Sequence, residues 1–236
     1  DAPITFKALT RRTVRLVGGP GSEYAIHLSQ VEHINIEGFH VAPDPDTGRW
    51  LLVDRARHIQ ITDTLMEKAR GSMPFLINNS EHVYVRDSVI REYAGHNMAR
   101  ISNSKWLLFE GNAISRTGHS PFQFYPPGSN QFIVVRGNVF HPAWGRAFEF
   151  FAERDLLFEH NLVTNAYDGG RSASTNAKIL SVNSIFRFNR VFRNWGGPIS
   201  ANPEEDWQFR NVRLYHNVFD DNAQYGLGIN IGSDAV

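Results

Sequence analysis

The sequence predicts an all-β, single-stranded solenoid of about eight turns, coiled from short parallel strands. Three observations predict it. A unit of the form apolar-x-apolar-x-Gly-Asn-x-apolar appears as LLFEGNAI (107–114) and returns as IVVRGNVF (133–140). Without its glycine it recurs as LLFEHNLV, IFRFNRVF and VRLYHNVF. The apolar residue two after the Asn is Ile114, Phe140, Val163, Val191 or Phe219, and with Asp in place of Asn the series extends back to Leu65 and Val89. The intervals are 24, 25, 26, 23, 28 and 28 residues, a drifting period that suits fixed strands joined by loops of varying length. Finally, no segment sustains a 3.6-residue apolar period, so helix content should be very low.

Residues 1–30 alternate apolar and polar around Ile4/Phe6, Val14/Leu16 and Ile26/Leu28, with the turn-rich GGPGS between the last two pairs. VEHINIEGFHV (31–41) is the first clear copy of the unit, with Gly38 at its bend. DPDTGRW (44–50) reads as a polar loop bulging from the coil. From Leu51 each turn divides into an LLFE-like strand, an Asn or Asp bend with a very short strand, a Gly-bearing loop and a third strand. The third strands are MPFLI, NMARI, PFQFY, AFEFF, AKIL, PIS and LGINI, closed by polar turns such as NNS, SNS and PGSN. Asn suits the bend because it tolerates the left-handed region and its amide bonds backbone groups. Stacked roughly 4.8 Å apart, successive amides should also bond one another in a ladder.

Composition narrows function. The 236 residues carry a formal net charge of zero, so no bulk field recruits nucleic acid or an anionic membrane. There is no cysteine, which excludes a disulfide framework and thiol chemistry. No apolar run reaches the roughly 18 residues a membrane-spanning helix needs. The chain reads as one domain over 1–236, and both ends are strand-like rather than capped. It is therefore expected to be a fragment, with signal peptide and end caps outside it.

With the spaced Asn bends on the page, the chain resembles the right-handed parallel β-helix of the pectate-lyase-like superfamily over nearly its whole length. DAPITFKA, a strand pair and INIEGF are similar to the opening turns of polysaccharide lyase family six, whose members act on uronate polymers. The resemblance implies a secreted, periplasmic or cell-surface protein with an acidic polysaccharide as partner, and it allows calcium as a cofactor. The run E-x-E-I-I-x-x-K that marks that family is absent. The corresponding strand is AFEFFAER, with Glu149 and Glu153 but no lysine.

Alternate residues of a parallel strand face outward and form rows across turns. With Ile77, Ile101, Phe124, Phe150 and Ile179 inward, one outward row reads Leu76, Arg100, Gln123, Glu149 and Lys178. The Gly-x step before the strand sets Ser72, His96, His119 and Arg146 in a second row, and Tyr125 should share the face of Gln123. Arg forks bind carboxylates in pairs and Lys offers a point charge, so the face suits an anionic sugar. β-Elimination needs a neutralised carboxylate, a base and a proton donor. The roles expected are His119 as base, Tyr125 as donor or alternative base, Arg146 and Arg100 on the carboxylate, and Glu149 orienting an Arg or His, or ligating a metal where one is present. His96, Gln123, Lys178, Trp144 and Trp195 complete substrate binding, the two tryptophans either stacking on sugar rings or shielding the coil edge. His96 and His119 lack a third ligand for zinc, and no metal ligand set is assigned.

Two other classes compete. Glycoside hydrolysis needs two carboxylates at a set separation, for which Glu149 pairs with Asp168 or Glu153. Glu159, aligned with Glu110 and Arg136, reads as solvated. A non-catalytic stalk or glycan-binding module needs no charge-dense face. In that case Glu149 merely bridges Arg100 and Lys178, for roughly 0–1 kcal/mol.

Overall fold

The structure is a computed structural model that describes residues 2–19, 21–43, 48–70, 72–93, 95, 97–118, 120–126, 128–141, 148–164, 177–193, 199–201, 210–221 and 227–229. For 148–153, 177–180, 199–201 and 227–229 it describes the backbone. Strands are the only regular element among these residues.

Each turn supplies a first strand, a very short second strand and a third strand, as in Lys105–Glu110, Ala113–Ser115 and Ser120–Phe124. Each pairs in parallel with its counterpart one turn away. The second strands build a nine-stranded sheet. First and third strands share a 16-stranded sheet. They are joined because Phe148–Glu159 and Ala177–Arg187 each run from a third strand straight into the next first strand. About six turns carry the regular buried plan rather than the expected eight. Among the described residues the first strand, Ile4–Lys7, pairs on one side only. Ile4 and Phe6, which pair with buried Ile34 and Ile36, stay 58% and 53% exposed.

Period-two alternation sends Leu107 and Phe109, Ile133 and Val135, and Leu156 and Phe158 into the core. Phe75, Phe122, Phe124, Phe140 and Phe186 join them, and Phe109 sits 4.7 Å from Phe122 between ring centroids. Each buried ring contributes about 1.5–3 kcal/mol relative to exposure. Trp50, expected in a bulging loop, instead lies in the strand Arg49–Asp54 and is fully buried. Its indole donates to the Glu67 carbonyl at 3.0 Å and its ring meets Tyr93 edge-on.

The Asn column forms the expected ladder. The Nδ2 of Asn112 donates to Asn138 Oδ1 at 3.0 Å, that of Asn138 to Asn161 at 3.1 Å, and that of Asn161 to Asn189 at 3.1 Å. Asn189 continues to Asn217 at 2.9 Å. Each oxygen also accepts the backbone N–H of the preceding Asn, and each amide donates to a buried carbonyl such as Phe109 O at 2.9 Å. These bonds satisfy backbone groups that the bend would otherwise bury unpaired.

Two details of the expectation change. The left-handed position is the residue before the Asn: Gly111 (φ 65°), Gly137 (φ 63°), His160, Phe188 and His216 (each φ 54°). The Asn is needed for its amide rather than its φ. Upstream, Asp63 and Asp87 occupy that left-handed position, and Thr64 and Ser88 take the ladder place, where the Thr64 N–H donates to Ser88 Oγ at 3.1 Å. Accordingly Met66 and Ile90, not Leu65 and Val89, align with Ile114. A second ladder closes the bend after the third strand, with Ser80 N–H donating to Ser104 Oγ at 3.1 Å and Ser104 N–H to Asn130 Oδ1 at 3.0 Å.

Candidate functional site

The third strands are held in register by their ladders and by the Ser80–Ser104–Asn130 bend, which starts each following strand at the same place. The pairing sets Leu76, Arg100, Gln123, Glu149, Lys178 and Ser200 at one position of successive turns. Ile77, Ile101, Phe124, Phe150 and Ile179 occupy the next position, and those with described side chains are buried.

Side chains of these strands meet in two pairs. Asn97 donates from Nδ2 to Gln123 Oε1 at 3.1 Å. The Arg100 guanidinium lies 4.8 Å from the Tyr125 ring centroid, so Tyr125 does share the face of Arg100. Arg100 and Gln123 are half-buried and Tyr125 is exposed. Just before the row, Met98 is fully buried, which leaves the row as a half-open strip beside a filled corner. An arginine paired to a ring face rather than to a carboxylate keeps its N–H fork available in the ring plane. The Thr117 and Ser120 hydroxyls, either side of position 119, are buried without a hydrogen-bond partner among the described residues.

His96, His119, Trp144, Arg146, Asp168 and Trp195 lie outside the described residues. Glu149, Glu153 and Lys178 are described in backbone alone. Among the described residues no three His, Asp or Glu side chains converge as a metal site, and no calcium ligand is assigned.

One reading is corrected. Glu159 aligns with Glu110 and Arg136 as expected, yet it is 8% exposed rather than solvated. Arg187 clamps it through Nε and a terminal nitrogen, each 2.7 Å from Oε2. A hydrogen bond to Tyr215 first, and then those to Glu159, hold Arg187 above the usual guanidinium pKa. Glu110, between Arg86 at 3.3 Å and Arg136 at 2.6 Å, belongs to the same alternating column.

Sequence reasoning missed a charged cluster on the second-strand sheet. Glu67 is buried and accepts from Arg91 at 2.7 and 2.9 Å, and its Oε1 lies 3.0 Å from His40 Nε2. Burial alone would raise the Glu67 pKa, but the Arg91 hydrogen bond and charge overcome it and hold the carboxyl below its usual value. The available signal was the spacing, since Glu67 and Arg91 stand one turn apart.

Parallel strands, three per turn, and a buried Asn ladder define a parallel β-helix. The chain belongs to the family described as right handed beta helix region, which matches residues 24–186. Among solved structures it is similar to an alginate lyase from Paenibacillus sp. str. FPU-7, with 14% identity over 97% of this chain and 84% of that one, TM-score 0.60. A hyperthermoactive exopolygalacturonase from Thermotoga maritima gives 11% identity over 86% and 53%, TM-score 0.62. PfbA, a surface adhesin of Streptococcus pneumoniae, gives 11% identity over 87% and 58%, TM-score 0.58. The chain thus spans little more than half of the latter two structures. A search of curated proteins finds no match.

Proposed function

We propose that the third-strand face binds an acidic polysaccharide and cleaves it by β-elimination. The observation that carries this reading is the register, which stacks Arg100, Gln123, Glu149 and Lys178 on successive turns, with Arg100 beside Tyr125. An alginate lyase, an exopolygalacturonase and a surface adhesin among the fold's neighbours support a polysaccharide partner and a location outside the cytoplasm: secreted, periplasmic or at the cell surface.

In the proposed reaction Arg100 and Arg146 hold the uronate carboxylate and lower the cost of charge at C5. His119 takes the C5 proton, the C4–O bond breaks as the C4=C5 bond forms, and Tyr125 protonates the leaving oxygen. The products are a 4,5-unsaturated uronate end and a new sugar hydroxyl. Glu149 orients Arg146 or His119.

Incubation with defined polyuronates tests it. A product with the ultraviolet absorbance of a conjugated enol ether is expected, and it should vanish in His119→Ala and Arg146→Ala while thermal stability stays nearly unchanged. New reducing ends without that absorbance would transfer the assignment to hydrolysis by Glu149 with Asp168 or Glu153. Loss of folding in both variants would show that these positions are structural, and binding without cleavage would leave a glycan-binding module.

A further inference from the structure

The first strands carry an outward column that the candidate site does not use. It runs His33, His58, His82, Trp106, Phe132, Asp155, Asn183 and Asn211, every member with φ between 48° and 60°. This left-handed residue sits second in each separate first strand, and at the matching register inside Phe148–Glu159 and Ala177–Arg187, and pushes its side chain out of the wall. The first five stack as rings. Centroids are 4.6 Å apart from His33 to His58 and from His58 to His82, 5.8 Å to Trp106 and 4.1 Å to Phe132, with planes within 11°. At Asp155 the rings stop. Phe132 is 36% exposed, Trp106 covers one of its faces, and no ring covers the other among the described residues.

We propose that this step is a separate binding site for a pyranose that lacks a carboxylate. The ladder shows that rings one turn apart sit at stacking distance. A sugar ring set over Asp155 would therefore take the sixth place and cover the open face of Phe132. Half-buried Leu157, two residues along the same strand, gives the floor an apolar part. Around that place stand the Asp155 carboxylate and the Gln131 carboxamide, neither with a side-chain partner among the described residues, and exposed Asn183, whose Oδ1 accepts from Asn211 at 3.1 Å. Carboxylate and amides beside a ring face match a sugar's hydroxyls above its apolar C–H face, whereas a purely aromatic ligand would leave them desolvated and unpaired.

Gln131 also lines an open depression of about 300 Å³ on the turn side of the ladder, with Asn79, Glu81, Asn103, Lys105 and Ser129. That is the lower end of the range for ligand sites, about 300–1,000 Å³. Its two charges neutralise one another, with Lys105 Nζ 3.0 Å from Glu81 Oε1. A second sugar unit attached to the first has a polar, uncharged place to lie. Exposed Arg154, in register with Gln131, stands beside Asp155, so the open ring face carries one charge of each sign and suits a sugar without net charge. The proposal does not depend on the lyase reading.

NMR titration of the intact chain with neutral, amino-bearing and uronate oligosaccharides of known length tests it. Saturable binding of a neutral or amino-bearing oligosaccharide is expected. Phe132→Leu, which keeps an apolar side chain without a ring face, should weaken it about tenfold. Asp155→Asn should weaken it severalfold, and Arg100→Ala should leave it unchanged. Absence of saturation with every sugar, equal affinity in Phe132→Leu, or preference for the uronate would overturn the proposal. So would loss of self-association in Phe132→Leu, which would mark the step as a protein interface instead.

Discussion

The two walls of the 16-stranded sheet use the same repeat in opposite ways. On the first-strand wall a column keeps its chemistry from turn to turn: rings stack on rings, and Arg86, Glu110, Arg136, Glu159 and Arg187 alternate in sign. On the third-strand face the column changes at every turn, through Leu76, Arg100, Gln123, Glu149 and Lys178. In-register stacking places each side chain about one strand spacing from its counterpart, so like charges repel unless signs alternate. A column that repeats a compatible pattern satisfies itself and stabilises the coil. One that does not leaves side chains to pair across rows, as Asn97 does with Gln123, or to meet a ligand. Local variation within a regular column is thus the better marker of a site, and at Phe132 a column of the self-satisfied wall varies in the same way.

The contrast is broken most directly inside the coil. Asn138 accepts from the N–H and Nδ2 of Asn112 and donates to Phe109 O and Asn161 Oδ1, all buried. Asn138→Ala strands several of these groups and should cost about 2–4 kcal/mol, read by denaturant unfolding. Arg100→Ala, on the variable face, should cost less than about 0.5 kcal/mol in the same assay. Equal losses would show that the third-strand face is as structural as the ladder.

Arg91→Ala tests a satisfied column on the second-strand sheet. It leaves the buried Glu67 carboxylate with His40 and without its main counter-charge, and about 1–3 kcal/mol should be lost at neutral pH. Glu67 is held below its usual pKa, so its contribution is present above about pH 4.5 and disappears as pH falls through the folded value. The wild type and Arg91→Ala stability curves should therefore converge in acid, and parallel curves would contradict the pairing.

Gly111→Ala addresses the left-handed position itself. At φ 65° an added Cβ would lie 2.6 Å from Asp87 Oδ1, a side chain that can swing aside, so about 1–2 kcal/mol of backbone strain is expected. His160 and Phe188 show that the position tolerates a side chain when the column around it stacks, with their centroids 5.0 Å apart. An Ala variant as stable as wild type would mean that the ring stack is not what offsets the strain.

Much of this was legible because strand residues alternate strictly and bends recur. The row from Leu76 to Lys178 and the inward row beside it follow from counting within third strands of constant register. The Asn ladder follows from the unit LLFEGNAI. What was not legible depends on φ. The left-handed residue and the ladder residue are neighbours, and composition alone does not tell which of Asp87 and Ser88 bends and which bonds. The ring column escaped notice because His82, Trp106 and Phe132 differ in type and each alone reads as a surface residue. The signal was their common place, second in each first strand. Glu159 was misread because an aligned carboxylate looks solvated until the arginine one turn away is seen to cover it.

The smallest effect separates the walls by pH. His82 stacks against His58 and Trp106, lies 3.5 Å from the Tyr84 hydroxyl through Nδ1, and is flanked by Glu81, Lys105 and Arg57. Burial first, and then the neighbouring His58, hold its pKa below the usual imidazole value, against an opposing pull from Glu81. Above about pH 6.5 the ring is neutral folded and unfolded, and the shift adds nothing. As pH falls below that value the unfolded chain takes a proton that the folded stack resists, so stability declines until the folded pKa is passed and then levels. For a half-buried ring the total should stay under about 1 kcal/mol. His82→Phe keeps the stack and removes the proton. It should flatten the wild-type slope in denaturation midpoint between about pH 7.5 and 5.5, while Arg100→Ala leaves that slope intact. If His82→Phe left the slope unchanged, the ring column would be a packing device alone, and the walls would differ in geometry but not in their response to protons.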